Sequence, residues 1–300
     1  MLLVQGERRY YLGPVVDDLF LGTAQWVYDG VDNEGTEERM SGDDMFTFMI
    51  FQNTLNTKYG SDIITEFAFN GNGVLEQSVF SNESPLSSPS TGHLDSASGV
   101  TPQHDENWLT TAVPGMQNEY EAGGWANDDL LAAVLTEEVK TTFHWQSHTM
   151  SHLARDNLGQ SDCTIEDTGN VELVKAVGFY YGNENYNWYS MTSPGITGLF
   201  NEFCLSSGAA ALMTCYPGDN TYLPGVTSVS LVADNPFHPL TTTVSTNGYA
   251  GATIVPRFAT FIYYNCVTAE CLVQENEYIR RVVCGCTNLD PSASTGVRPS

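Results

Sequence analysis

Positive charge is scarce in this 300-residue chain. It has 11 Lys and Arg against 36 Asp and Glu, a net charge of −25 at pH 7 and a pI near 4.2. A surface of that sign repels phosphate backbones, so nucleic acid is excluded as a partner. An anionic membrane surface is disfavoured on the same ground. Long apolar runs are missing too. No stretch approaches the roughly 18 consecutive apolar residues that a spanning helix needs, so no membrane span is expected. The opening MLLVQGERRYYLG lacks the apolar stretch of about 7–15 residues that marks a secretory signal, so no signal peptide is read in this chain. Cysteine is absent from the first half, and none of the seven cysteines forms a CxxC pair, which excludes the usual zinc-ribbon spacing.

What is present is globular. Hydrophobic residues make up 41% and aromatics 11%, enough for a buried core in one large domain or two small ones. Among the cysteines, Cys266 and Cys271 are spaced for a short disulfide loop, and Cys204 with Cys215 for another. Free buried thiols are the alternative. Cys284 and Cys286 stand too close to bridge each other.

The coarse pattern alternates strands and helices. Residues 9–18 read as a strand ending in two acids, and 63–69 as a second strand, closed by the turn-forming Asn70-Gly-Asn-Gly73. Helices are expected near 45–55, over 128–140 and over 171–177. Further strands are expected at 141–147, 226–233, 252–255 and 258–265. The Ser/Pro/Thr-rich segment 81–106 reads as an exposed insertion loop and contains the sequon Asn82-Glu-Ser84. The polar tail 287–300 reads as disordered. Alternation of this kind predicts an α/β fold with a parallel sheet, and at this length a distorted, incomplete (β/α) barrel over residues 1–286.

Two motifs carry chemistry. The first is His148-Thr-Met-Ser-His152. If the segment is helical, its histidines share one face with Cβ atoms about 5–6 Å apart, a spacing that suits one divalent metal. A polar helix surface is the alternative. The second is Asp17-Asp18, following Val15-Val16. Adjacent acids at a strand end point to opposite sides and can hold different jobs; a solvated turn is the alternative. One carboxylate plus two imidazoles leaves open positions on a metal for water and substrate. HxxxH without the glutamate of HExxH argues against a zinc peptidase.

In this order, the Asp-Asp pair and the His-Thr-x-x-His motif resemble the metal-dependent polysaccharide deacetylases of the Nod type. RRYYLGPVVDDLFLGT, EFAFNGNG, HWQSHTMSHL, SPGITGLFN, NPFHPL and VPRFATFIYYN are more closely similar to the large fungal-type secreted deacetylases of N-acetylgalactosamine-containing exopolysaccharide, over residues 8–271. The resemblance implies Asp17 as general base and Asp18, His148 and His152 as metal ligands. It also implies Arg257 as the arginine bracing the catalytic acid, and Asn201 lining the pocket. An ordinary salt bridge is the alternative for Arg257, and a turn-forming role for Asn201. The implied cofactor is a divalent transition metal, Zn2+ foremost, and the implied partner an amino-sugar polysaccharide bearing N-acetylgalactosamine or N-acetylglucosamine. The implied location is extracellular or in the cell wall.

The sequence departs from that pattern in carrying Leu19 where the family has glycine, and no histidine follows His238, so no proton-donating histidine is named. The chain is expected to be a truncated product or an excised domain, and a catalytically impaired glycan-binding relative is the alternative function. His144 is expected as a core histidine and His238 as a loop residue. Trp26, Tyr180, Tyr181, Tyr186, Trp188 and Tyr189 are available to stack on sugar rings or to pack internally.

Overall fold

A computed structural model describes residues 13–28, 32–71, 74, 128–178, 185–218, 239–257, 266 and 268–278, with backbone alone for 23–28 and 32–38. The insertion 81–106 with Asn82, the expected strands 226–233 and 258–265, the tail 287–300, Tyr180, Tyr181, His238, Cys284 and Cys286 lie outside those residues.

The chain divides into two compact units, residues 1–21 with 39–259 and residues 22–38 with 260–300. The larger unit is mixed α/β. Its elements in chain order are β1 (Val15–Val16), α1 (Gly42–Tyr59), β4 (Glu66–Phe69), α2 (Asp129–Val134), α3 (Glu137–Thr142), β5 (His144–Ser147), α4 (Gln160–Ala176), β6 (Tyr186–Met191), a 3-10 turn (Pro194–Ile196), α5 (Glu202–Ala210), β7 (Cys215–Pro217), β8 (Leu240–Thr241), α6 (Val244–Asn247) and β9 (Thr253–Val255). The smaller unit holds the antiparallel pair β2 (Thr23–Tyr28) and β3 (Asp32–Glu38), with α7 (Ala269–Tyr278) against β2.

The seven strands of the larger unit run in the order β1-β4-β5-β6-β7-β9-β8. All neighbours are parallel except the β8–β9 pair. The sheet is curled as an incomplete barrel. One contact makes the curl plain. Flat, β1 and β9 would be five interstrand steps apart, about 24 Å at roughly 4.8 Å per step, yet Arg257 just beyond β9 meets Asp17 just beyond β1 at 2.7 Å.

Local chemistry explains the elements. Ser41 opens α1 with a reciprocal capping box to Asp44, and Gly60 closes it in a left-handed conformation. The buried Gln52 amide of α1 donates to Thr142 O and its carbonyl accepts from Thr65 N, tying α1 to the end of α3 and the approach to β4. The single helix expected over 128–140 is two, because Thr136 donates to Ala133 O and caps a fresh start at Val139 N. The strand expected at 63–69 is confined to Glu66–Phe69, and the helix expected at 171–177 begins at Gln160.

The core is aromatic. Phe67, Phe143 and Trp145 are fully buried, with Phe67 and Phe143 edge to face at 5.0 Å. Cys163 of α4 bonds Cys204 of α5, and Cys266 bonds Cys271. The expected Cys204–Cys215 bridge is corrected: Cys204 lies in a buried cluster with Leu153, Leu158 and Cys163 between two helices, whereas Cys215 opens a sheet strand and is reduced.

Arg39 ties the chain after β1 to the helical layer. Its guanidinium meets both Asp128 oxygens at 3.0 and 2.9 Å, and its Nε donates to Phe20 O at 2.8 Å. Asp128 is fully buried and also caps α2. Asp128→Ala therefore leaves a part-buried guanidinium uncompensated and α2 uncapped; denaturant unfolding should show a loss of about 2–4 kcal/mol.

Candidate metal centre

The parallel strands deliver their following residues to one rim. Beyond β1 come Asp17 and Asp18, beyond β4 Asn70, beyond β5 His148, beyond β6 Thr192, and beyond β9 Arg257. The carboxyl ends of parallel strands are where barrel folds hold reactive groups.

The histidine motif is not helical. β5 ends at Ser147, and residues 148–152 form a loop in which Thr149 and His152 have positive φ, 63° and 59°. The expectation of two histidines one helical turn apart is thus corrected: the left-handed residues fold the loop back, so the rings meet with centroids 5.0 Å apart. Asn170 of α4 donates to Phe69 O and Ser147 Oγ, and Asn70 donates to the carbonyls of His148 and Thr149. Gly71 is required by close approach, since a Cβ there would lie 2.4 Å from Met150 Sδ.

Asp18, also at positive φ (58°), turns its Oδ1 to His148 Nε2 at 2.9 Å and to His152 Nε2 at 3.0 Å. The three ligand atoms lie within 4.8 Å of one another. His148 Nδ1 donates to Thr192 O at 2.7 Å, which fixes the tautomer as such outer bonds do in metal sites. A neutral His148 then turns a lone pair towards a carboxylate oxygen, and that approach is repulsive unless a proton or a cation lies between. One carboxylate and two imidazoles are also a donor set that transition metals accept. The residues therefore fit a divalent metal ion.

Asp17 faces elsewhere. Its Oδ2 pairs with Arg257 Nη2 at 2.7 Å, while its buried Oδ1 has no hydrogen-bond partner among the described residues. Asn201 is the N-cap of α5: its carbonyl accepts from Phe203 N and its amide donates to Arg155 O and Leu158 O, so both ends of the side chain are engaged by the fold. His144 is exposed, correcting the expected core histidine; it is the first residue of β5, on the far end from the rim. Among the aromatics, Tyr186 is buried and stacks on Trp188 at 4.1 Å, while Tyr189 is 63% exposed.

Three groups went unread in the sequence. Glu166 accepts from both the backbone N–H and the hydroxyl of Ser151. Arg155 pairs with Asp167 at 2.8 Å in full burial, and burial pushes the Asp167 carboxyl up to about 6 even against the Arg155 charge. Arg39 holds the turn after Asp18 through Phe20 O. The only sequence signal for these is a run of polar residues inside a segment that still forms a helix or follows a strand.

A family model described as the Agd3 deacetylase domain matches residues 12–288. A solved structure of Agd3, described as a novel carbohydrate deacetylase, is similar at a TM-score of 0.69 and 30% sequence identity, over 90% of this chain and 40% of that chain. The chain thus spans about two-fifths of the length of that structure. No curated protein matches it.

Desolvation works to raise the Asp18 carboxyl, but hydrogen bonds and charge from His148 and His152 carry it well below the usual range. Burial works to lower the His148 imidazole, but the bond and charge of Asp18 win and raise it. In metal-free protein the pair thus stabilises the fold fully from above about pH 4 to about pH 6.5. The contribution is lost as Asp18 protonates on acidification and as His148 deprotonates when pH rises past its raised value. Asp18→Asn should therefore lower the melting temperature of metal-free protein more at about pH 5.5 than at about pH 9; equal losses at both would contradict the pairing.

Proposed function

The chain belongs to the Agd3 deacetylase-domain family, and from that premise we propose that it removes N-acetyl groups from an amino-sugar polysaccharide by metal-assisted hydrolysis. The observation that carries this is the split of an adjacent acid pair, Asp18 against two imidazoles and Asp17 against one guanidinium, on the rim of a curled parallel sheet. No helix among the described residues is long and apolar enough to cross a membrane.

Asp18, His148 and His152 would hold the ion, Zn2+ foremost. When bound, such a metal supplies a Lewis acid that polarises an amide carbonyl and acidifies water. Asp17 is the base. Arg257 occupies its Oδ2, which leaves Oδ1 as the atom that takes a proton from the attacking water. Arg257 is then a positioning group, fixing the carboxylate plane relative to the rim. His148, buried and bonded through Nδ1 to Thr192 O, cannot swing its ring away from the site.

The substrate class is a polymer of N-acetylgalactosamine or N-acetylglucosamine, acted on outside the cell or in the cell wall. Two disulfides fit an oxidising compartment. Deacetylation leaves cationic amino sugars, and a protein of net charge −25 attracts them. The deacetylase-like domain is assigned to residues 1–286.

Elemental analysis should find about one transition metal per chain, lost in His148→Ala/His152→Ala. Asp17→Asn should keep the metal and release acetate from N-acetylated galactosamine or glucosamine polymer about 10²–10⁴-fold more slowly. Undiminished turnover in Asp17→Asn would sink the base assignment. Binding to partly deacetylated polymer should weaken steadily between about 0.05 and 0.5 M salt; salt-independent binding would remove the electrostatic account.

A further inference from the structure

Two of the three metal-ligand residues, Asp18 and His152, sit at positive φ. A non-glycine residue in that region costs on the order of 1 kcal/mol and persists only where neighbouring contacts impose it. For Asp18 the turn is closed by Leu21 N donating to Asp18 O, and the core holds Leu19 and Phe20. For His152 the buried apolar neighbours are Met150 and Leu153. His152 is partly exposed, and residues 148–152 belong to no helix or strand.

The constraint comes from below. Ser151, immediately before His152, gives its backbone N–H to Glu166 Oε2 at 2.9 Å and its hydroxyl to Glu166 Oε1. Glu166 is fully buried on α4. Both carboxylate oxygens thus grip one loop residue, and a charge-assisted pair of bonds is stronger and more directional than neutral ones. α4 is itself fixed: Asn170, one turn further on, ties it to β4 and β5, and the Cys163–Cys204 bond ties it to α5.

We infer that Glu166, acting through Ser151, is the positioning residue that holds His152 in its strained conformation and so sets the metal affinity of the site. The inference rests on the metal-centre reading above. A buried carboxylate is an expensive way to anchor a loop, since an apolar contact would carry no desolvation cost. What it provides is two hydrogen bonds at fixed angles, and a ligand needs orientation more than it needs burial. Outer residues of this kind typically alter metal affinity by 10–100-fold when removed.

The test is Zn2+ affinity of the full chain, measured by competition with a chromophoric chelator, alongside the visible spectrum of the Co2+ form. Ser151→Ala removes the hydroxyl bond with little loss of volume, and Glu166→Gln removes the charge while keeping the shape. Each should raise the Zn2+ Kd about 10–100-fold and change the Co2+ spectrum. Tyr216→Phe, which removes a buried hydroxyl bond to Met213 O in the other core cluster, serves as the control. It should leave Kd and spectrum as in wild type. A Kd within twofold of wild type in Ser151→Ala overturns the inference, and so does equal weakening in Tyr216→Phe. If Glu166→Gln does not fold, Ser151→Ala decides alone. A wild-type chain that takes up no Zn2+ overturns the metal centre itself, an outcome read before any variant is made.

Discussion

One carboxylate facing two imidazoles is the constraint that the rest of the rim serves. Asp18 Oδ1 lies 2.9 and 3.0 Å from two ring nitrogens, and this requires three backbone segments to converge. It also requires Asp18 and His152 to hold φ values that most residues avoid. Neither demand comes from secondary structure, because Asp18, His148 and His152 all lie in loops that follow strands. The surrounding fold must therefore supply the restraint, and it does so with polar groups: Thr192 O on His148, Glu166 on Ser151, and Asn70 and Asn170 on buried carbonyls at and just beyond strand ends. Backbone carbonyls that leave a ladder need new partners, and here those partners double as positioning elements.

The arginines have a matching logic. With so few basic residues in the chain, three arginines pair with aspartates around this rim: Arg39 with Asp128, Arg155 with Asp167, and Arg257 with Asp17. Acids outnumber cations by more than three to one, so most have no cation of their own to meet, and the excess sets a strong negative long-range field. A buried ion pair is weak support for stability, since desolvation cancels much of its attraction. Its geometry is what remains. Arg39 reaches both the cap of α2 and the carbonyl after Asp18, and so couples the helical layer to the turn that carries the acid pair.

The site was legible in the sequence where chemistry is local. Asp17-Asp18 after two valines and HxxxH after a short strand needed no tertiary information beyond their order. Arg257 was reachable only through resemblance, since nothing near VPRFAT indicates its partner. α4 was half missed because its buried face carries Cys163, Glu166, Asp167 and Asn170 where apolar periodicity would announce a helix. β6 and β7 were missed as strands: β7 is only three residues long, and the polar and aromatic YNWYSM of β6 shows no apolar alternation. For Asn201 the structure shows the turn-type role that was held as the alternative, its amide and carbonyl bonding Arg155, Leu158 and the start of α5. Glu166 could not be found at all, because a lone glutamate in a polar stretch carries no local sign of a partner fifteen residues earlier.

The Asp17–Arg257 pair links fold and chemistry most directly. It joins residues that follow the first and sixth strands of the sheet order, so it exists only because the sheet curls. Curling comes from strand twist accumulated over many parallel neighbours, a property of the whole core and not of the rim. Asp18 and Asp17 are sequence neighbours, yet one is fixed by the strand beside β4 and the other by the strand nearly closing the barrel. The two adjacent carboxylates therefore meet different partners, Asp18 two imidazoles and Asp17 one guanidinium. The curl thus lets two neighbouring acids face two different sets of partners.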